Sequence, residues 1–166
     1  PATPLPAAMC HVTVQAQKAK LLLKDKTPNT KDLLRWKFVK GDATDIADFG
    51  NPVSGTTDYA LCVYDRTAGT PSLLLGVTVP AGGTCAGNPC WKASGATGFK
   101  YKDVALTRRG VKLIRLKANN VAGGAKVIVL AKGPNLDYAS LAPFLPLDQA
   151  PAVTVQVSNT LGKCWT

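Results

Sequence analysis

Few residues in this chain could do chemistry by themselves. His11 is the only histidine among 166 residues. A nucleophilic serine or cysteine usually needs a base, most often histidine. Here the histidine directly follows Cys10, and successive strand residues point to opposite faces, so the two form no dyad. His11 reads as an edge or surface residue. Paired carboxylates could support glycoside hydrolysis, but every acidic residue is aspartate and only Asp42, Asp45 and Asp48 cluster. Their spacing of three suggests one face of a helical turn, or a loop cation site. It departs from the alternating oxygen ligands of an EF-hand loop. A calcium site at these three residues therefore competes with a polar loop of turn-forming aspartates. Gly82-Gly83 lacks the lysine and helix that follow a phosphate cradle. We expect no enzyme, no catalytic residue and no cofactor.

The five cysteines are a stronger signal. Cys85 and Cys90 frame a short loop in which Gly87 and Asn88-Pro89 supply a turn that brings two sulfurs together. A zinc ribbon needs a second close pair of ligands, and Cys10, Cys62 and Cys164 are too dispersed to provide one. A local Cys85–Cys90 disulfide is expected. The other three cysteines allow at most one further bridge, and the odd one suggests an intermolecular link or a free thiol.

Aromatic residues next to basic ones could stack on sugars. Trp36 sits in an apolar alternation and reads as core. Trp91 follows Cys90 and is expected to pack on the local disulfide, with Trp165 in a similar relation to Cys164. Only Lys100-Tyr101-Lys102 combines aromatic and basic character in a way that suits an acidic glycan.

These residues need a scaffold, and the chain reads as short strands separated by turn chemistry. Strand patterns fit residues 12–16, 20–24, 34–39, 59–64, 73–79, 99–102, 111–117, 126–131 and 153–157. β-branched and aromatic residues fill them, and Gly, Pro, Asn and Asp fill the breaks. Asn119 to Gly124 reads as a hairpin loop. A helical turn could hide at Thr44 to Phe49 or Thr107 to Arg109. The fold class is all-β: an antiparallel two-sheet β-sandwich or jelly roll with about 8–10 short strands. Two Pro-rich apolar segments stand outside the pattern. One is residues 1–9, ahead of a single domain over 10–166. The other, Tyr138 to Pro151, reads as a packed connection or as an exposed segment for a partner.

Composition sets the outer limits. Twenty Lys and Arg face ten acidic residues, a net charge of +10. The basic residues are spread from Lys18 to Lys163 with no run beyond Arg108-Arg109, and no nucleic-acid motif appears, so specific nucleic-acid binding is not expected. Affinity for polyanions such as acidic polysaccharide fits the charge. Apolar runs such as Val127 to Ala131 have strand length, far short of the ~18 residues of a membrane span. The start at Pro1 without a methionine is consistent with a removed signal peptide, and the cysteines point to a secreted, extracellular protein.

Several segments together resemble a family of secreted proteobacterial proteins of unassigned function. They include Leu34-Arg-Trp-Lys-Phe38, Ala47-Asp-Phe-Gly-Asn-Pro52, Tyr59-Ala-Leu-Cys-Val-Tyr-Asp65, Gly83-Thr-Cys-Ala-Gly-Asn-Pro-Cys-Trp-Lys92 and Gly98-Phe-Lys-Tyr-Lys-Asp103. The likeness covers about residues 10–166 and implies an exported module with no known activity. It implies a Cys62–Cys164 pairing, which would leave Cys10 free or intermolecular, and one more strand beyond Trp165. The leading functional expectation is a secreted structural subunit, such as that of an extracellular filament or surface assembly. Its N-terminal segment, with Pro1, Pro4, Leu5, Pro6 and Met9, would contact a neighbouring copy as a homo-oligomer forms. The alternative is an extracellular carbohydrate- or polyanion-binding module.

Overall fold

The computed structural model describes residues 2–65, 69–136 and 153–166. The segment Tyr138 to Pro151 and Pro1 lie outside them. Twelve strands are present among the described residues. They are β1 (Ala19–Lys24), β2 (Leu33–Gly41), β3 (Tyr59–Asp65), β4 (Ser72–Val79), β5 (Thr84–Cys85) and β6 (Asn88–Pro89), then β7 (Trp91–Ala93), β8 (Gly98–Lys102), β9 (Val111–Lys117), β10 (Ala125–Lys132), β11 (Thr154–Asn159) and β12 (Cys164–Trp165). One sheet has six strands in the order β1-β2-β10-β9-β8-β7, and a second has four in the order β12-β11-β3-β4. All their pairings are antiparallel. A two-stranded ribbon of β5 and β6 stands apart. The fold is an all-β sandwich; the strands beyond the expected eight to ten are pieces of two or three residues.

Alternation explains the layering, because residues two apart share a face of a strand. Leu34, Trp36 and Phe38 of β2 face inward with Val127, Val129 and Ala131 of β10 and Ile114 and Leu116 of β9. The other sheet contributes Tyr59, Leu61 and Val63 of β3, Val77 and Val79 of β4, and Val157 of β11. Aromatic rings run through this layer. Trp165 lies against Phe49 (centroids 4.8 Å), Tyr59 against Trp91 (5.3 Å), and Trp91 against Tyr101 (5.3 Å). Trp36 is core as expected. At the local disulfide the Tyr101 hydroxyl lies 3.7 Å from Cys85 Sγ, and the Trp91 ring lies tilted against that of Tyr101.

The four-stranded sheet has a second covered face. Ala60, Cys62 and Tyr64 of β3 point away from the sandwich interior and pack with Ala2 and Leu73. Every residue of β3 is therefore buried. The N-terminal segment provides the cover. The Tyr64 hydroxyl donates to the Thr3 carbonyl (3.0 Å). The Gln156 amide clamps Ala7 from both sides, accepting from its N–H and donating to its carbonyl, both at 2.9 Å. A Cβ at Gly76 would lie 2.9 Å from the Ala2 Cβ, so glycine there lets the strap lie flat. Thr3 and Ala7 thus hydrogen-bond to their own domain.

Cys10 closes the strap with a disulfide to Cys164 (Cα–Cα 4.6 Å), and Cys85–Cys90 forms as expected (4.9 Å). The Cys62–Cys164 pairing is corrected: Cys62 is a buried free thiol. Strand β11 lies between β3 and β12. Two strand spacings separate the two residues by about 9–10 Å, beyond the roughly 7 Å that a disulfide spans.

The strand expected at residues 12–16 is also corrected. His11 bridges Trp165 in one sheet and Thr13 bridges Gly41 in the other, after which the chain bends. The segment has to cross between the two sheets, so it cannot continue along either one. The helical turn suspected at Thr44 to Phe49 is a short 3-10 helix over Ile46–Phe49, and Thr107 to Arg109 lie in turns.

Candidate anion-binding face

The uncovered face of the six-stranded sheet collects the basic residues. The inward set of each strand is apolar, so the alternate positions face outward. They carry Lys20 in β1, Arg35 and Lys37 in β2, and Lys126 in β10. Arg115 and Lys117 in β9, Lys100 and Lys102 in β8, and Lys92 in β7 continue the set. Neither Asp nor Glu stands in any of the six strands. Leu22, Ile128, Leu130 and Leu113 lie between the cations, half-buried.

Register places these cations side by side. Lys20 is opposite Lys37, Lys117 opposite Lys126, Arg115 opposite Lys100, and Lys100 opposite Lys92. Like charges directly opposite across a sheet are destabilising. Four such pairs share one face, and their register concentrates positive charge there.

Three hollows follow one another across this face. The first, of about 390 Å³, lies against the β5–β6 ribbon and touches Lys92, Lys100 and Lys102. The second, of about 380 Å³, shares Lys100 and adds Arg115, Lys117 and Lys126. The third, of about 460 Å³, shares Lys117 and Lys126 and ends at Lys18 and Lys40. Glycine at position 98 lets β8 lie close to β9, because a Cβ there would collide with the Leu116 carbonyl. The track thus runs from the disulfide ribbon across β8, β9 and β10 to the end of β2.

The sequence had singled out Lys100, Tyr101 and Lys102. The two lysines lie on this face, but Tyr101 is corrected: at 1% exposure it points into the core. Period-two alternation puts the middle residue of such a triplet on the opposite face. Burial, with the Asp103 carboxylate nearby, pushes its phenol up to about 12. The wider cationic face was missed because its residues come from six strands. The signal was present as basic residues at every second position, in Arg35-Trp-Lys37, Lys100-Tyr-Lys102 and Arg115-Leu-Lys117.

Asp42, Asp45 and Asp48 do not gather as a calcium cage. Asp42 Oδ1 lies 2.8 Å from His11 Nδ1, and Asp48 Oδ1 lies 2.9 Å from Lys163 Nζ. Asp45 caps the 3-10 helix by accepting from the Ala47 N–H (2.8 Å). Among the described residues no group of three metal-ligating side chains converges. His11 has Asp42 at one ring nitrogen and Asp48 3.6 Å from the other, and it stacks on Trp165 at 5.6 Å. Both nitrogens thus face carboxylates, and the ring ties the strap to the C-terminal strand.

No family model, curated protein or solved structure matches the chain. The cationic face is therefore read on its own geometry.

Proposed function

We propose that this protein is an extracellular module that binds acidic polysaccharide on the outer face of its six-stranded sheet. The observation that carries the reading is the track of three hollows joined through shared cations, Lys100 and then Lys117 with Lys126. A continuous cationic groove fits a linear chain carrying repeated negative groups better than a single small anion. The apolar side chains between the lysines, Ile128 among them, offer contacts to the C–H faces of sugar rings. The three tryptophans are all buried, so none offers the stacking platform that single-stranded nucleic acid uses. The β5–β6 ribbon at the edge of this face has two residues per strand and carries no lysine or arginine, unlike a strand pair that reads a DNA groove. Two disulfides agree with an oxidising, extracellular setting, and no helix is long and apolar enough to cross a membrane among the described residues.

The test is affinity for heparin, alginate, neutral dextran and duplex DNA at matched salt. We expect binding to the acidic glycans, none to dextran, and a loss of about 10- to 100-fold in K100Q/R115Q/K117Q, where each tenfold is about 1.4 kcal/mol. Unchanged affinity in that variant, equal binding to dextran, or tighter binding to duplex DNA would overturn the assignment.

A further inference from the structure

One end of the cationic track is built differently from the rest. Its first hollow has lysines on one side, Lys92, Lys100 and Lys102, and a wall made by the β5–β6 ribbon, with Ala86, Asn88, Pro89 and both disulfide cysteines. We propose that this hollow is a subsite for one sulfate or carboxylate group of the glycan, and that the Cys85–Cys90 disulfide controls it by holding the wall in place. The inference rests on the function proposed above.

Apart from the contact of Cys85 Sγ with the Tyr101 hydroxyl and the packing of Cys85 and Cys90 on the core, the wall has little else to hold it. Its strands are two residues each, and none of their side chains is buried. Cys90 N–H to the Gly83 carbonyl (3.0 Å) closes the base of the hairpin, and the backbone ties to the domain are Lys102 N–H to the Cys90 carbonyl (2.8 Å) and Gly82 N–H to the Pro52 carbonyl (2.7 Å). The turn itself resists closure. Ala86 and Gly87 both have positive φ, 49° and 80°, as a two-residue turn of this hand requires. Glycine takes that conformation freely, but alanine is strained there. The disulfide closes the turn from its ends and keeps Asn88 and Pro89 facing the lysines. Reduction by a dithiol would transfer two electrons and two protons to the sulfurs, giving two thiols and leaving the reductant as its own disulfide. The lysines would keep their charge, but the group they surround would lose its fourth side.

The experiment measures calorimetric affinity for a heparin-derived hexasaccharide at fixed salt. We expect C85S/C90S and K92Q/K102Q each to weaken binding about tenfold, with the combined variant little worse than either, as for residues that share one site. Ala86→Asn in the C85S/C90S background creates Asn-Gly, the preferred pair for this turn, and is expected to recover affinity without the disulfide. That triple variant also serves if the double mutant fails to fold. K117Q/K126Q, in the next hollow, is expected to weaken binding independently. Wild-type affinity in K92Q/K102Q, with K117Q/K126Q weakened, overturns the subsite and leaves the cationic face standing. Wild-type affinity in folded C85S/C90S, or no recovery with Ala86→Asn, overturns control by the disulfide. Wild-type affinity in every variant overturns the proposed function itself.

Discussion

Lys37 illustrates how a residue can be costly to the fold and useful to the surface. It faces Lys20 directly across β1 and β2, so removing its charge relieves repulsion. We expect Lys37→Gln to raise the stability of the free protein by a few tenths of a kcal/mol at low salt, with the gain vanishing near 1 M salt, where the Debye length is about 3 Å. The same change should weaken glycan binding; thermal melts with and without heparin check both signs. Two aspartates act in the opposite sense. Burial opposes the charge of Asp48, but the Lys163 ammonium, the Asp45 N–H and the nearby His11 outweigh it and hold the carboxyl below its ordinary 3.8. Asp103 is likewise lowered, with burial outweighed by the Thr107 hydroxyl and the backbone N–H groups of the following turn. The unfolded state therefore binds these protons more readily than the native state. Their stabilisation is present above about pH 4 and is lost as pH falls through the lower native values. Denaturant midpoints measured from neutral pH downward should drop below about pH 4, and Asp103→Asn should flatten that drop while lowering stability at neutral pH.

At the level of elements, the two disulfides do different work. Cys10–Cys164 spans 154 positions and ties the N-terminal strap to the last strand, whereas Cys85–Cys90 spans 5. In the chain-entropy account the long loop is worth about 5 kcal/mol and the short one about 2. We expect C10S/C164S to lower unfolding free energy by about 2–5 kcal/mol and to expose residues 2–9 to protease, while C85S/C90S costs no more than about 2. Equal losses in urea titrations would contradict this division. The strap itself was only half legible. Its proline-rich, uncharged composition showed that it makes no regular strand. The composition did not show that Gln156 and Tyr64, remote in sequence, supply the hydrogen bonds that hold it to its own sheet.

For the whole molecule, the placement of charge matters more than its total. The net charge of +10 implies general attraction to anions. The sandwich then leaves the face of one sheet without acidic residues and fills it with lysine and arginine. Two triple variants with the same net charge should therefore behave differently. K100Q/R115Q/K117Q removes charges from the face, and K26Q/K31Q/R108Q removes them from loops, turns and a short 3-10 helix outside it. Heparin chromatography should show early elution for the first and near wild-type retention for the second; coincident elution would mean that net charge alone sets the affinity.

Period-two alternation, turn residues and the spacing of Cys85 and Cys90 already determined the all-β class, most of the strands, the buried Trp36 and the local disulfide. These are local properties, decided by which side of a strand each residue occupies and by the reach of a short turn. The partner of Cys164, the burial of Tyr101, the crossing path of residues 11–13 and the cationic track were decided only by tertiary structure. Each depends on which strands become neighbours, and that order is set by packing two apolar faces together, a choice made over distances that no local pattern encodes.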